Sequence, residues 1–365
     1  MELVGKKKDI MAKDTKYIKW NGYSDKEIEA IGSQLHAIQN ELSKCVLNAG
    51  EKTGDRFVGI FDIAWYGEDL IYMNVGSKEL EYNPLSINWL KEVEKFSPDI
   101  IGTIIVEDSY VFCDRLLGLV KKKFNIPIVA GGSMPTVVPQ IIIENPNIDY
   151  VVETEGEVAF KELLIALKKG KDVSKVPNLW YKDKDKAMKT KLTEYLNMDD
   201  IPNQRLEFWD DKHFKKPYDG KLYNTGFFEA SRGCMHKCHY CINRAFQVFQ
   251  QESGKVRRNK SVNRIIDEVK TIHKEKNFEL IMFTDDNFLA RQPKELDEFF
   301  IKWGKEIKVP YWINTCIETV NDHNLPGLKE SGCVGIAIGL ETGSDWVRQN
   351  LLLKGKMNND FYMEK

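Results

Sequence analysis

Three cysteines, Cys234, Cys238 and Cys241, fall within an eight-residue stretch of EASRGCMHKCHYCINRAF and read CxxxCxxC. Thiolates are soft ligands suited to iron-sulfur clusters and zinc. A 4Fe-4S cluster held by only three cysteines leaves one iron open, and an open iron is where chemistry can occur. The competing reading is structural zinc, with Cys238 and Cys241 as a CxxC pair, Cys234 as a third ligand and His236 or His239 as a fourth. Zinc sites generally present two separated ligand pairs, and this chain has no second CxxC. Cys45, Cys113, Cys316 and Cys333 are dispersed among apolar stretches and read as small core residues.

Other segments offer polar groups at the ends of strand-like runs. FTDDNF places Asp285 and Asp286 just past such a run, where carboxylates can bind an ammonium group or simply cap a helix. IGLETGSD carries Glu341, Gly343 and Ser344 and by itself is a turn signal. Gly131 and Gly132 close a strand in PIVAGG, where missing side chains let backbone approach a ligand beyond the carboxyl edge of a parallel sheet. A tight strand-to-helix turn explains them as well. Glu155 and Glu157 begin a helix and complement its dipole, which makes them poor candidates for catalysis. Arg257, Arg258 and Lys260 read as a solvated basic face.

The elements that position these residues follow from periodicity. Ser24 and Glu27 form a capping box ahead of apolar residues at three- and four-residue steps from Ile28 to Val46, an amphipathic helix in an N-terminal extension over 1–55. FVGIFDI, DLIYMNV, DIIGTIIV, PIVAGG and DYVVE are strands. They alternate with helices expected near 87–96, 110–124 and 158–168, which predicts a doubly wound, Rossmann-type parallel sheet over 56–170. Residues 171–221 are rich in Lys, Asp, Asn and Pro and read as a linker. From 222 to 365 the strands GFFEAS, ELIMFTDD, VPYWINT and VGIAIGLE are separated by helices expected at 262–274, 293–306 and 324–331, a partial TIM-type (β/α) barrel.

Composition narrows the function classes. Hydrophobic residues at 42%, charged residues at 30% and a net charge of -2 describe an ordinary globular protein and argue against a general nucleic-acid binder. No apolar run approaches the roughly 20 residues of a membrane span. The polar, basic start MELVGKKKDIMAKDTK does not read as a secretory signal, and an odd number of cysteines, seven, suits metal ligation in a reducing compartment. A cytoplasmic setting is the expectation.

The CxxxCxxC loop after the first barrel strand resembles the signature of the radical S-adenosylmethionine (SAM) superfamily. The resemblance implies that Cys234, Cys238 and Cys241 hold a 4Fe-4S cluster, that SAM chelates its open iron, and that an electron from the cluster breaks a carbon-sulfur bond to give a 5'-deoxyadenosyl radical. It implies that Tyr240 lies near the adenine and that DDNF is the acidic motif approaching the SAM amino group. IGLETGSD resembles the family's GIESGS motif, which puts Glu341, Gly343 and Ser344 beside SAM. The run from SPDIIG through EGEVAFKELL resembles the cobalamin-binding domain that precedes many such cores, with Gly131 and Gly132 at the cofactor. Together these imply cobalamin-dependent methyl transfer to an unactivated carbon of a small-molecule or peptide substrate, fed by an electron donor such as flavodoxin or ferredoxin. A radical SAM cyclase or rearrangement enzyme is the enzymatic alternative, and a zinc-stabilised binding protein the non-catalytic one.

Two departures from the family pattern stand out. Domains that ligate cobalt from below use D-x-H-x-x-G, whereas Asp62 and Gly67 here enclose Ala64, so cobalt is expected without a protein imidazole. Family barrels also carry more βα units than the four strands legible here. The chain reads as C-terminally truncated relative to the family, and an inactive chain on its own is an expectation.

Overall fold

The computed structural model describes residues 84–365, apart from 185, 207, 208, 210 and 356, and these belong to one compact unit, Ser77–Lys365. The expected helix of 28–46, the strands FVGIFDI and DLIYMNV, and the Asp62-Ala64-Gly67 segment lie outside the described residues.

Helix α1 (Pro84–Phe96) leads into strand β1 (Ile101–Ile104), then α2 (Tyr110–Lys123), β2 (Ile128–Gly131), the short α3 (Ser133–Val137) and α4 (Pro139–Glu144), β3 (Tyr150–Val152) and α5 (Gly156–Lys168). Strands β1, β2 and β3 are parallel neighbours in that order. Because side chains alternate across a strand, Ile128, Ala130 and Val151 pack with Val93, Leu117, Val120, Ile142 and Ile143 on one face. Val129 and Val152 pack with Ala159, Leu163 and Ala166 of α5 on the other. Helices therefore cover both faces, as a doubly wound sheet requires.

The stretch read as a linker contains more structure than its composition suggested. Strands β4 (Leu179–Asp183) and β5 (Lys186–Lys189) form a hairpin that extends the first sheet antiparallel from β3. Leu179 is its fully buried anchor, and the remaining polar side chains sit on an edge, where charge discourages pairing with other chains.

The second sheet has the order β12-β11-β10-β7-β6. In it β6 (Lys215–Tyr218) is antiparallel to β7 (Lys221–Phe228); after β7 the two-residue β8 (Ser231–Arg232) and β9 (Arg258–Asn259), with α6 (Ile242–Phe249) between them, pair as a separate antiparallel ribbon. Next come α7 (Val262–Lys276), β10 (Leu280–Phe283), α8 (Pro293–Lys302), β11 (Tyr311–Thr315), α9 (Asn324–Ser331), β12 (Cys333–Ile338) and α10 (Asn359–Glu364). Strands β7, β10, β11 and β12 are parallel, the partial barrel expected. Helix α7 is capped by Ser261, whose hydroxyl accepts from the Arg264 N–H at 3.2 Å, and buries Val262, Ile265, Ile266, Val269 and Ile272 along one stripe. It ends at Asn277 in the left-handed region (φ 50°). Helix α8 stops before its expected end and passes into a π-helical turn, Trp303–Ile307, which seats the fully buried Trp303 with its indole N–H on the Val309 carbonyl at 2.9 Å.

Phe283, at the carboxyl end of β10, lies among Phe288, Phe299, Trp303 and Tyr311 with ring centroids 4.8–6.0 Å apart. Phe283→Ala is expected to destabilise this unit by about 3–5 kcal/mol, the usual cost of emptying a buried aromatic site, read from the urea-unfolding midpoint.

Candidate functional site

The cysteine loop leaves the barrel through Glu229, Ala230 and β8. Gly233 follows in the left-handed region (φ 77°), and a Cβ there would lie 2.6 Å from the Val256 carbonyl oxygen, so the turn requires glycine. The Gln247 side-chain amide on α6 donates to the carbonyls of Cys234 (2.7 Å) and His236 (2.9 Å). The His239 N–H donates to Leu352 O at 2.9 Å, and the Cys241 N–H to Cys238 O at 3.2 Å. Cys241 is the N-cap of α6. All three cysteines are free. Burial pushes the Cys234 and Cys238 thiols up; nearby charge at Asp286, Cys241 and Cys238 raises Cys234 further, while Lys354 draws Cys238 down against Cys241 and Glu341. Three free thiols within electrostatic reach of one another, on a loop pinned along its length, fit a metal cluster. His236, one of the two histidines considered as a fourth zinc ligand beside His239, turns Nδ1 toward Glu318 Oε2 at 3.3 Å.

Asp285 and Asp286 divide the roles expected of them. Asp285 is 1% exposed, and its carboxylate accepts from the Ala230 N–H at 2.9 Å and from the Ser231 hydroxyl. Burial pushes its pKa up against those bonds. It therefore ties the end of β10 to the start of the cysteine loop, whereas Asp286 is exposed and lines a cleft. The basic group is likewise not the solvated face that its composition suggested. Arg257 donates to the Ser231 hydroxyl and to the carbonyls of Gly233 (3.1 Å), Asn287 (3.1 Å) and Ala290 (3.0 Å). Arg258 meets Glu155 and the Leu196 carbonyl, and the buried Lys260 pairs with Glu268 at 2.6 Å.

After β12, Glu341 adopts a left-handed backbone (φ 66°) and accepts from the Lys354 ammonium at 2.7 Å. The Tyr240 hydroxyl is also hydrogen-bonded to Glu341. The structure thus brings Tyr240, Glu341 and Lys354 together beside Cys238. Lys354, followed by Tyr240, holds the Glu341 carboxyl below the usual range despite some burial. The contact is complete above the ordinary glutamate pKa of about 4.3 and is lost as pH falls through the lowered one. The loop is anchored by the fully buried Arg348, which donates to the carbonyls of Leu340 (3.3 Å), Thr342 and Met357 (3.3 Å) and to the side chains of Asp345 and Asn359, both at 2.8 Å. Ser344 accepts the Val347 N–H at 3.3 Å and so starts the following turn, while the space beside Gly343 is open.

Gly131 and Gly132 border a cleft of about 890 Å³ at the carboxyl ends of the first sheet. Gly132 (φ 108°) cannot carry a side chain, since a Cβ would lie 2.9 Å from the Ile105 carbonyl oxygen. A Cβ at Gly131 meets nothing, so its backbone faces open cleft. The breadth of the cleft and this bare glycine edge fit a flat corrin. A smaller cleft of about 250 Å³ adjoins it, sharing Gly132, Glu155, Glu229 and Arg232 and reaching Gly233 and Asp286. At this junction Arg232 contacts Glu157 at 2.7 Å, Glu229 at 2.8 Å and Glu155 at 3.2 Å. Burial works against its charge, but the three carboxylates more than offset that.

Comparison with known proteins agrees with this geometry. The family description "Radical SAM superfamily" matches residues 228–361, and "B12 binding domain" matches 73–164. This chain belongs to the radical SAM superfamily and carries a B12-binding domain. It is 30% identical over 258 residues to an uncharacterized methyltransferase, PH0819, of Pyrococcus horikoshii, covering 70% of this chain and 54% of that protein. It is 27% identical over 178 residues to an anaerobic magnesium-protoporphyrin IX monomethyl ester cyclase of Synechocystis, covering 48% and 34%. The chain thus spans about half or less of the length of these relatives. The radical SAM methyltransferase TsrM of Kitasatospora setae, solved with cobalamin and a [4Fe-4S] cluster, shares the fold with a TM-score of 0.55 at 15% identity, over 74% of this chain and 53% of that one. Among the described residues no helix is long and apolar enough to cross a membrane.

Within this radical SAM protein, sequence reasoning missed Arg232 and Lys354. Arg232 carried a usable signal, because an arginine two residues before Cys234 and a Glu-Gly-Glu helix start after a strand of the other sheet are opposite charges awaiting partners. Lys354 carried none. Replacing Arg232 by Met leaves three part-buried carboxylates facing one another without a cation, so a loss of about 3 kcal/mol is expected, measured as a fall in the unfolding midpoint, with Arg232→Lys recovering only part of it.

Proposed function

We propose that this chain is the core of a cobalamin-dependent radical SAM methyltransferase acting on an unactivated carbon of a small molecule or peptide. The observation that carries the reading is the placement of the three free cysteines next to a cleft that continues into the glycine-edged cleft of a B12-binding domain. Cys234, Cys238 and Cys241 would hold a 4Fe-4S cluster, and Gly131 and Gly132 would admit the corrin. When bound, the cluster supplies the electron that splits SAM into methionine and a 5'-deoxyadenosyl radical, and cobalamin supplies a methyl carrier.

The chain's own residues then bind and orient. Asp286, exposed at the cleft, is suited to the SAM ammonium, while Asp285 positions the loop from beneath. Tyr240 and Glu341 form one hydrogen-bonded edge next to Cys238, with Lys354 fixing the Glu341 carboxylate, and the open backbone at Gly343 and Ser344 continues that edge. An external one-electron donor such as flavodoxin or ferredoxin would reduce the cluster. Similarity to the Synechocystis cyclase favours radical cyclisation as a second reading, which uses the same ligands and radical and differs in the fate of the SAM methyl group.

Anaerobic reconstitution with iron, sulfide and hydroxocobalamin, followed by reduction with SAM present, tests both. Methyl transfer predicts S-adenosylhomocysteine as well as 5'-deoxyadenosine, whereas a cyclase predicts the deoxynucleoside alone. Replacing Cys234, Cys238 and Cys241 together by Ala is expected to abolish the brown chromophore and the deoxynucleoside. A colourless wild-type protein holding one zinc per chain would overturn the assignment in favour of a zinc-stapled loop.

A further inference from the structure

The turn between β3 and α5 holds a strained residue and two unpaired polar atoms on the wall of the larger cleft. Thr154 has φ 75°, a left-handed conformation that is an outlier for a β-branched side chain. Strain of this kind persists only where the surroundings enforce it, and it gathers at ligand sites. Here the enforcement is visible, since the Thr154 N–H donates to the Thr136 hydroxyl at 3.2 Å and that hydroxyl donates to the Gly132 carbonyl at 2.8 Å. The Thr154 hydroxyl itself is buried without a hydrogen-bond partner, and so is Oε2 of Glu157. Glu157 Oε1 is held by Arg232 at 2.7 Å, which fixes the carboxylate and leaves its other oxygen unmet. Both residues line the cleft bordered by Gly131. Buried polar atoms in folded proteins are nearly always bonded, so two orphans three residues apart on one cleft wall call for a ligand.

We infer that Thr154 and Glu157 read the amide-bearing edge of the corrin, an assignment that rests on the cobalamin reading of this cleft. An ionised carboxylate only accepts, whereas a threonine hydroxyl both donates and accepts. A primary amide satisfies the pair, giving an N–H to Glu157 Oε2 and taking the Thr154 O–H on its carbonyl. The corrin ring carries such amides around its rim. A corrinoid with those amides hydrolysed to carboxylates would face Glu157, Glu155 and Glu229 and be repelled.

The test is an absorbance titration of the full chain with hydroxocobalamin and with cobinamide, which keeps the ring amides and lacks the nucleotide tail, paired with apo-protein melting. Thr154→Gly is expected to weaken binding of both corrinoids about tenfold, while the apo protein melts at an equal or higher temperature because the backbone strain is relieved. Thr154→Ser, which keeps the hydroxyl, should bind within about twofold of wild type, and Glu157→Gln should weaken binding about tenfold. Wild-type affinity in both Thr154→Gly and Glu157→Gln would overturn the inference while leaving the cobalamin reading intact. Losses seen with cobalamin but not cobinamide would overturn the ring-edge assignment by moving the contact to the tail. A wild-type chain that binds neither corrinoid would overturn the cobalamin reading itself, and this pair's ligand with it.

Discussion

A guanidinium among three carboxylates joins the two halves of the site. Arg232 stands two residues before Cys234, and its partners Glu155 and Glu157 begin the helix that follows the last parallel strand of the first sheet. Partly removing such charges from water is costly, and the cost is met only when partners and geometry are right. The pairing therefore favours one arrangement of the cysteine loop against the corrin-sized cleft. Arg258 meets Glu155 from the paired strand β9, so the loop's two flanks are both held to the same turn. Chemistry between two cofactor sites depends on reacting groups being held at set distances, and this group of charges fixes the cysteine loop relative to the cleft.

The same device recurs wherever the active-site backbone leaves regular structure. Arg257, Arg291 and Arg348 each donate to two or more carbonyls of residues outside strands and helices. The guanidinium suits this work because it presents several donors in a rigid plane. Irregular loops are usually confined to the surface because their polar backbone needs partners. Here arginines supply partners from within, which lets the DDNF and LETGSD loops pack closely around the cysteines.

Much of the fold was legible because it rests on periodicity. The helices of 110–123, 262–276 and 324–331 and the four parallel barrel strands appear where apolar spacing put them. The β4–β5 hairpin was hidden because an edge hairpin buries little. Leu179 and Trp180 are flanked by lysines and aspartates that look like a linker, and the pairing partner, β3, is remote in sequence. Helix α6 was hidden by its brevity, having only Ile242–Phe249 in which to show a stripe. The cysteine loop was legible because the spacing of its thiols is itself a chemical signal, whereas the arginine clamps depend on where unrelated loops cross.

The pair Asp285-Asp286 shows how local physics could have sorted residues that a motif treats alike. Alternation along β10 continues beyond its last paired residue: Phe283 is buried, Thr284 exposed, Asp285 buried, Asp286 exposed and Asn287 buried. A two-residue period extended from a core phenylalanine therefore sends the first aspartate inward and the second outward. The inward one must find donors, and the loop beginning at Ala230 supplies an N–H and a hydroxyl. The outward one stays free for a ligand. The two carboxylates of the acidic motif thus differ, one tying down the cysteine loop and the other facing the cleft, a division set by strand geometry.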